Sequence, residues 1–156
     1  MSVKEKIKTL LSNAPAAQAR REKMREGLSN RDFSFLAPNC LGGILLHDLG
    51  LRFLSPTVNL MMRQDDFLSF VTNLDAYLSE QLSFLERPEG ECPRAFLSPA
   101  GLPQILIHFT HYKTELDASQ KWYERAKRIN KDNLFIMIEE RDDGDDGIKI
   151  YSNIGI

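Results

Sequence analysis

Short apolar runs alternate with segments of helical periodicity along most of this chain, and this alternation constrains the fold more than any other feature. Residues 33–36, 105–109 and 134–138 are compact apolar runs, which predict buried strands. Residues 67–78 repeat apolar side chains at three- and four-residue steps, and a second helical pattern follows Thr114. Strands that alternate with helices predict an α/β domain with a mostly parallel or mixed sheet.

Local signals predict where these elements begin and end. Asp65 or Asp66 is expected to cap the 67–78 helix, and Gly50 to end a short helix over residues 44–49. The four prolines and two glycines of residues 87–103 predict an irregular loop. Weaker strand patterns occur at residues 51–54, 58–62 and 148–151.

The first part of the chain is basic and has the pattern of a helical lead-in. We expect residues 1–31 to form this lead-in and residues 32–156 to form a single α/β domain, with Pro15 breaking or redirecting the helix. Its charge fits a solvated face or, alternatively, peripheral contact with an anionic membrane surface. Val3, Ile7, Leu10 and Leu11 share one helical face, and the basic residues are Lys4, Lys6, Lys8, Arg20, Arg21, Lys23, Arg25 and Arg31.

Composition excludes several classes of protein. The 156 residues, 42% of them hydrophobic and 27% charged, suffice for one domain with a core that needs no disulfide. Cys40 and Cys92 form no CxxC pair, which favours a reduced, cytoplasmic setting over a zinc or redox site. No apolar stretch is long enough for a transmembrane segment, and residues 1–11 lack the core of a signal peptide. A net charge of −2 without aromatic–basic interleaving disfavours nucleic-acid binding.

The segment from Asn39 to Gly43 stands between a predicted strand and a predicted helix. Gly42 and Gly43 would let a ligand approach the backbone, and the helix would direct free N–H groups at a phosphate. The segment lacks the established glycine-rich phosphate patterns, so a tight turn that needs glycine is the competing interpretation. Cys40 would be a nucleophile only if a histidine lay near it in space; otherwise it is a small apolar residue.

Two further groups of residues are candidates for the site. His108 and His111 follow the predicted 105–109 strand, where ligands gather in parallel sheets and where histidine can transfer protons; either could instead bind a loop carbonyl. Arg125 and Arg128 share a helix face that matches phosphate or carboxylate, with Asn130 after it; a solvated face is the alternative. The acidic run at 142–147 lacks calcium-loop spacing and predicts a flexible loop, and no metal ligands are predicted.

Several of these segments, in this order, resemble the bacterial family called domain of unknown function DUF1919, over roughly residues 32–143. The chain departs from the family pattern at Leu41, where tryptophan is usual, and at Gln104 and Leu106, where acidic residues are usual. The matching segments are residues 33–36, 39–43, 49–51, 55–58, 66–78, 107–112, 121–125, 127–130 and 132–135.

The family's members are often labelled exopolysaccharide biosynthesis proteins, and the resemblance implies a three-layer α/β/α, Rossmann-like fold. It also implies a role in surface-polysaccharide assembly, as a transferase with a phosphate-bearing, nucleotide-sugar-like donor. Asn39, Gly42 and Gly43 would then hold the donor phosphate, Arg125 and Arg128 would neutralise it, and His108 or His111 would supply acid–base catalysis. The departures at Gln104 and Leu106 favour the alternative, a non-catalytic binding or accessory subunit of the same pathway. The resemblance leaves the cofactor unknown.

Overall fold

The computed structural model describes residues 15–142 and 145–152, and this part of the chain is mixed α/β. The predicted lead-in before Pro15, with its apolar face at Val3, Ile7, Leu10 and Leu11, lies outside the described residues, as do Asp143 and Gly144 in the acidic run. The helices are α1 (Pro15–Glu26), α2 (Leu41–Asp48), α3 (Gln64–Thr72), α4 (Leu74–Ser79) and α5 (Glu115–Ala126). The strands are β1 (Ser34–Leu36), β2 (Ser83–Phe84), β3 (Arg94–Leu97), β4 (Ile105–His108), β5 (Leu134–Asp142) and β6 (Asp145–Ser152).

The strands form two separate three-stranded sheets. In the first, ordered β1-β5-β6, β1 pairs parallel with β5 and β5 pairs antiparallel with β6. In the second, ordered β2-β3-β4, both pairings are antiparallel. The α/β class and the three main strands are confirmed, whereas the predicted three-layer, Rossmann-like arrangement is not.

Strand β3 accounts for much of this difference, because the prediction of an irregular loop over residues 87–103 is wrong at its centre. Ala95 and Leu97 are buried and alternate with less buried neighbours, the pattern of a strand with one face in the core. Pro93 and Pro99 flank this strand without interrupting it. The strand pairs with β4, placing Ala95 opposite Ile107, so β4 belongs to an antiparallel sheet.

The two faces of the first sheet bury different clusters. Leu36 and Ile136 point into the larger core, which they share with Phe70 of α3 and Trp122 of α5. Residues on the opposite face pack in a smaller cluster under α2, with Phe35, Leu46 and Met137 among its members. This alternation follows from the two-residue side-chain period of a strand, and it holds α2 against the carboxyl end of β1.

Several helix boundaries differ from those predicted. Helix α2 begins at Leu41, so Gly42 and Gly43 lie in its first turn and not in a turn before it. Helix α3 begins at Gln64, after an N-cap at Arg63, so neither Asp65 nor Asp66 is the cap. The backbone of Asn73, with φ at −131°, then separates α3 from α4.

Two predicted helix ends are confirmed. Gly50 follows α2 with φ at +67°, a left-handed conformation that favours glycine after a helix. Thr114 caps α5, because its hydroxyl accepts a hydrogen bond from the Asp117 N–H at 3.1 Å.

Helix α1 lies against the carboxyl end of α2 through polar contacts. None of its residues is buried. Arg21 pairs with the carboxylate of Asp48 at 2.8 Å, and Arg25 donates to the Asp48 carbonyl at 2.9 Å. Basic side chains there complement the unpaired carbonyls of the α2 terminus. The division of the chain at residues 31 and 32 stays a prediction.

Residues 55–62, here called the linking segment, connect the two sheets. The segment forms no strand of its own, unlike the 58–62 prediction, but Met61 and His108 make an isolated antiparallel bridge. On the side of β1, the Met62 N–H donates to the Pro38 carbonyl at 2.8 Å. The linking segment therefore fixes the end of β1 relative to the end of β4. The 51–54 prediction is also wrong, since no strand forms there.

No helix in the described part of the chain has the length and apolar character needed to cross a membrane.

Candidate functional site

The side chains of Cys40 and His111 meet where the two sheets approach each other. Cys40 Sγ lies 3.1 Å from His111 Nε2, and the Thr110 hydroxyl oxygen is 3.8 Å from the same sulfur. Cys40 is half-buried and His111 is exposed, so solvent and small molecules reach the pair. A cysteine beside a histidine is the arrangement of a base-activated thiol nucleophile. The sequence made a nucleophilic role of Cys40 depend on a nearby histidine, and His111 meets that condition.

Strand β1 delivers Cys40 to this position. The chain leaves the buried strand through Ala37, and the Asn39 side chain then accepts a hydrogen bond from the Leu41 N–H at 2.9 Å. This local turn starts α2 directly after Cys40. The thiol is therefore next to the amino end of a helix, where unpaired N–H groups and the helix dipole favour negative charge.

A tight turn after β4 delivers His111. The Phe109 N–H donates to the Pro93 carbonyl at 2.8 Å, and the Tyr112 N–H donates back to the Phe109 carbonyl at 3.0 Å. The buried Tyr112 hydroxyl donates to the Val58 carbonyl at 3.2 Å, which ties the turn to the linking segment. The histidine reaches the site although β4 is antiparallel, so the rule for parallel strands is not the reason for its position.

His108 faces a different space from His111. It lines a cavity of about 350 Å³ together with Asn39, Met61, Arg63 and Gln64. Burial, and to a lesser extent the charge of Arg94, lower the pKa of His108, while Asp66 acts in the opposite direction. The imidazole is therefore neutral at pH 7 and can take part in hydrogen bonds without adding charge.

Gly42 and Gly43 have a packing reason to be glycine. A Cβ on Gly42 would lie 2.7 Å from the Cβ of Ala37, and a Cβ on Gly43 would lie 3.1 Å from Val58 Cγ1. Both glycines are buried, and neither has a positive φ. They bring the first turn of α2 close to β1 and to the linking segment, and so hold Cys40 in place.

Arg125 points into the protein and makes three internal contacts. Its Nη1 donates to the Tyr112 hydroxyl at 2.7 Å and to the Val58 carbonyl at 3.2 Å. Its guanidinium also lies over the Phe53 ring, 5.4 Å from the centroid. The arginine thus supports the turn that carries His111.

Arg128 and Asn130 lie away from Cys40. Arg128 lies in the turn after α5, not on the helix face predicted for it, and pairs with Glu124 of that helix at 3.6 Å. The Asn130 backbone N–H donates to the Ser34 hydroxyl at 2.8 Å, and its side chain donates to the Asp32 carbonyl at 3.1 Å. These contacts place Asn130 at the start of β1, whereas Cys40 follows the end of that strand.

The predicted set is thus brought together only in part. Asn39, Cys40, Gly42, Gly43 and His111 lie together, and His108 lines a cavity to which Asn39 also contributes. Two neighbouring residues were not predicted: Thr110, beside the thiol, and Arg63, in the cavity. Thr110 belongs to residues 107–112, one of the segments that resemble the family, but no pattern in the sequence distinguished Arg63. Among the described residues, no cluster of histidine, cysteine and acidic side chains is suited to hold a metal ion.

Comparison with known proteins places the chain in a family. A relative from Haemophilus influenzae, named "Uncharacterized protein", is 37% identical over 139 residues, which make up 88% of this chain and 64% of the relative. The chain therefore spans a little under two thirds of that relative's length. A family model described as "Domain of unknown function (DUF1919)" matches residues 12–155. This chain belongs to the DUF1919 family.

Proposed function

We propose that this protein is an acyl-transfer enzyme that uses Cys40 as a covalent nucleophile and His111 as its general base. The contact of 3.1 Å between Sγ and Nε2 carries the proposal, because it is within reach for direct proton transfer. The tautomer of His111 with its proton on Nδ1 leaves Nε2 free to accept the thiol proton. The thiolate formed in this way is the reactive form of cysteine.

The reaction has two steps. In the first, Nε2 accepts the thiol proton, Sγ forms a bond to the acyl carbon, and the donor's leaving group departs with that proton. In the second, Nε2 takes the proton of an acceptor hydroxyl, whose oxygen attacks the Cys40 thioester. The thioester bond breaks, and Sγ recovers the proton from His111. The acyl group ends on the acceptor, and the enzyme is regenerated.

The amino end of α2 supports both steps. Negative charge develops on the acyl oxygen during each attack, and first-turn N–H groups of a helix are suited to stabilise it. Gly42 and Gly43 supply such groups next to Cys40. They would act on an acyl oxygen here and not on the donor phosphate expected from the sequence.

The proposed acceptor is a hydroxyl of a surface polysaccharide or of its precursor. The labels given to members of the family support this part of the proposal. A nucleotide-sugar donor has less support than an acyl donor, because Arg125 and Asn130 make internal hydrogen bonds. The accessory-subunit alternative predicts no covalent intermediate.

Covalent labelling tests the proposal. The protein is incubated with 4-nitrophenyl acetate, nitrophenolate release is followed, and the acetylated peptide is identified by mass spectrometry. We expect an acetyl group on Cys40, a loss of that adduct in Cys40→Ala, and a rate lower by about 10²–10⁴-fold in His111→Ala.

His47→Ala is the matched control, because His47 is the exposed histidine on α2. Its acylation rate should equal that of the unmodified protein. Acetylation confined to Cys92 or to lysines, or equal rates in His111→Ala and His47→Ala, would exclude the proposed roles and favour the accessory subunit.

A further inference from the structure

The cavity lined by Asn39, Met61, Arg63 and His108, here called the Arg63 cavity, has lining residues whose charge is of one sign. Its lining includes one guanidinium, that of Arg63, and one imidazole, that of His108, but no carboxylate. Because His108 has a lowered pKa, Arg63 supplies the positive charge at neutral pH. Asn39, the residue before the proposed nucleophile, is part of the cavity lining.

Arg63 is available to a ligand. Its side chain is exposed, and within residues 15–142 and 145–152 it makes no hydrogen bond or ion pair. Arg125, in contrast, directs its guanidinium to Val58 and Tyr112. A free guanidinium at the edge of a cavity matches a carboxylate or a phosphate, to which it can donate two parallel hydrogen bonds.

The same cavity offers an apolar wall. Met61 is 45% exposed and lines it, although large apolar side chains are commonly covered. Its backbone is fixed by two hydrogen bonds with His108, of 2.8 and 2.9 Å, so the wall is held in place. A volume of about 350 Å³ fits a small molecule with a short apolar stem and one anionic group.

We infer that the Arg63 cavity binds the anionic group of the acyl donor, a carboxylate or a phosphate, with Arg63 as the charged contact and Met61 against the stem. The assignment of this ligand as the acyl donor rests on the proposed function. The anion site itself rests on the cavity alone. In this arrangement the donor enters beside Asn39, and its acyl carbon reaches Cys40.

A protection experiment tests the anion site without requiring catalysis. Cys40 is alkylated with neutral iodoacetamide in the presence of inorganic phosphate or of glutarate, with Cys92 in the same sample as the internal reference. We expect one of these anions to slow the alkylation of Cys40 selectively. Arg63→Gln should weaken that protection about tenfold or more, and Arg63→Lys should weaken it less.

Arg52→Gln is the matched control, since Arg52 is an exposed arginine that does not line the cavity. It changes the net charge equally and should leave the protection unchanged. Equal loss in both variants, or no protection of Cys40 by either anion, would overturn the inference.

Three acyl donors then test whether the anion site is part of the donor site. 4-Nitrophenyl acetate is neutral, mono-4-nitrophenyl glutarate carries a carboxylate on the acyl side, and acetyl phosphate carries a phosphate on the leaving group. We expect Arg63→Gln to lower the acylation of Cys40 by one anionic donor about tenfold more than it lowers acylation by 4-nitrophenyl acetate.

The affected donor identifies the anion as carboxylate or phosphate. Acylation by 4-nitrophenyl acetate with no effect of Arg63→Gln on either anionic donor would refute the cavity's role in donor binding and keep the proposed function. Anion protection without acylation by any of the three donors would keep the anion site and refute the proposed function.

Discussion

Gly42 packs against Ala37 and lies in the first turn of the helix that follows the proposed nucleophile. Its Cα lies so close to β1 that an added Cβ would be 2.7 Å from the Cβ of Ala37, an atom that no side-chain rotation can move away. Gly42→Ala should therefore lower the free energy of unfolding by about 1–3 kcal/mol, as overpacking does. Urea denaturation measures the change.

The control for Gly42→Ala is Gly27→Ala, where the nearest atom to an added Cβ is a carbonyl oxygen at 3.6 Å. That variant should unfold near the midpoint of the unmodified protein. Equal midpoints for the two variants would show that α2 can move away from β1, and Gly42 would then need another explanation.

His108 provides a prediction about pH. Its pKa is lowered in the folded protein by burial and by Arg94, so the unfolded chain, with a histidine pKa of about 6.5, binds the proton more tightly. The contribution of His108 to stability is therefore complete above about pH 6.5 and declines as the pH falls toward the folded-state pKa.

His108→Gln should accordingly reduce the loss of stability between about pH 7.5 and pH 5.5, measured as urea midpoints. His47→Gln serves as the control, because that side chain is exposed on α2. An unchanged pH slope in His108→Gln would contradict the assignment.

For single residues, the sequence predicted which side chains belong to the site better than it predicted which side chains they contact. It proposed Cys40 on the condition of a nearby histidine and proposed His111 separately, but the two are 71 positions apart, and no local pattern connects them. It assigned Arg125 to a ligand because spacing alone cannot show that the side chain turns inward. Arg63 was missed because a single exposed arginine has no periodicity.

The end of helix α5 allows two arginines to be compared, Arg125 in its last turn and Arg128 in the turn that follows. Arg125 makes two hydrogen bonds and contacts the Phe53 ring, whereas Arg128 forms an ion pair at the surface. Arg125→Met should destabilise the protein by about 2–3 kcal/mol, since charged hydrogen bonds are lost and the Val58 carbonyl loses a donor. Arg128→Met should change stability by less than about 1 kcal/mol.

Thermal and urea denaturation of both variants provide the measurement. If Arg125 were instead a ligand contact with little structural role, Arg125→Met would be as stable as Arg128→Met, and only anion binding would change.

Elements with a continuous apolar run or a helical period were predicted from the sequence, including the three-residue strand β1, whereas β2 and β3 were not. The strands at residues 105–109 and 134–138 and the cap at Thr114 are confirmed, because long apolar runs and capping residues are local signals. Strand β3 was missed because its four residues lie between prolines and gain their stability from β2 and β4. Local propensity carries no information about such partners.

The candidate site exists only at the scale of the whole molecule. Cys40 follows β1 in one sheet and His111 follows β4 in the other, so the 3.1 Å contact depends on how the two sheets are placed. The linking segment sets that placement through hydrogen bonds at Pro38 on one side and at His108 on the other. Contacts between two sheets leave no periodic pattern in the sequence. The proximity of Cys40 and His111 could therefore not be predicted from the sequence.

Thr57 tests this view of the linking segment. Its buried hydroxyl accepts a hydrogen bond from the Ala37 N–H at 3.2 Å and contacts the Ser55 hydroxyl at 2.9 Å. Thr57→Val keeps the shape but leaves the Ala37 N–H without this acceptor, so unfolding should become easier by about 1–3 kcal/mol. Because Ala37 lies between β1 and Cys40, the variant should also acylate Cys40 more slowly under conditions where it is fully folded.

The control is Thr72→Val, at an exposed position on α3. A Thr57→Val protein that loses stability but retains the full acylation rate would show that the Cys40–His111 contact does not depend on the linking segment.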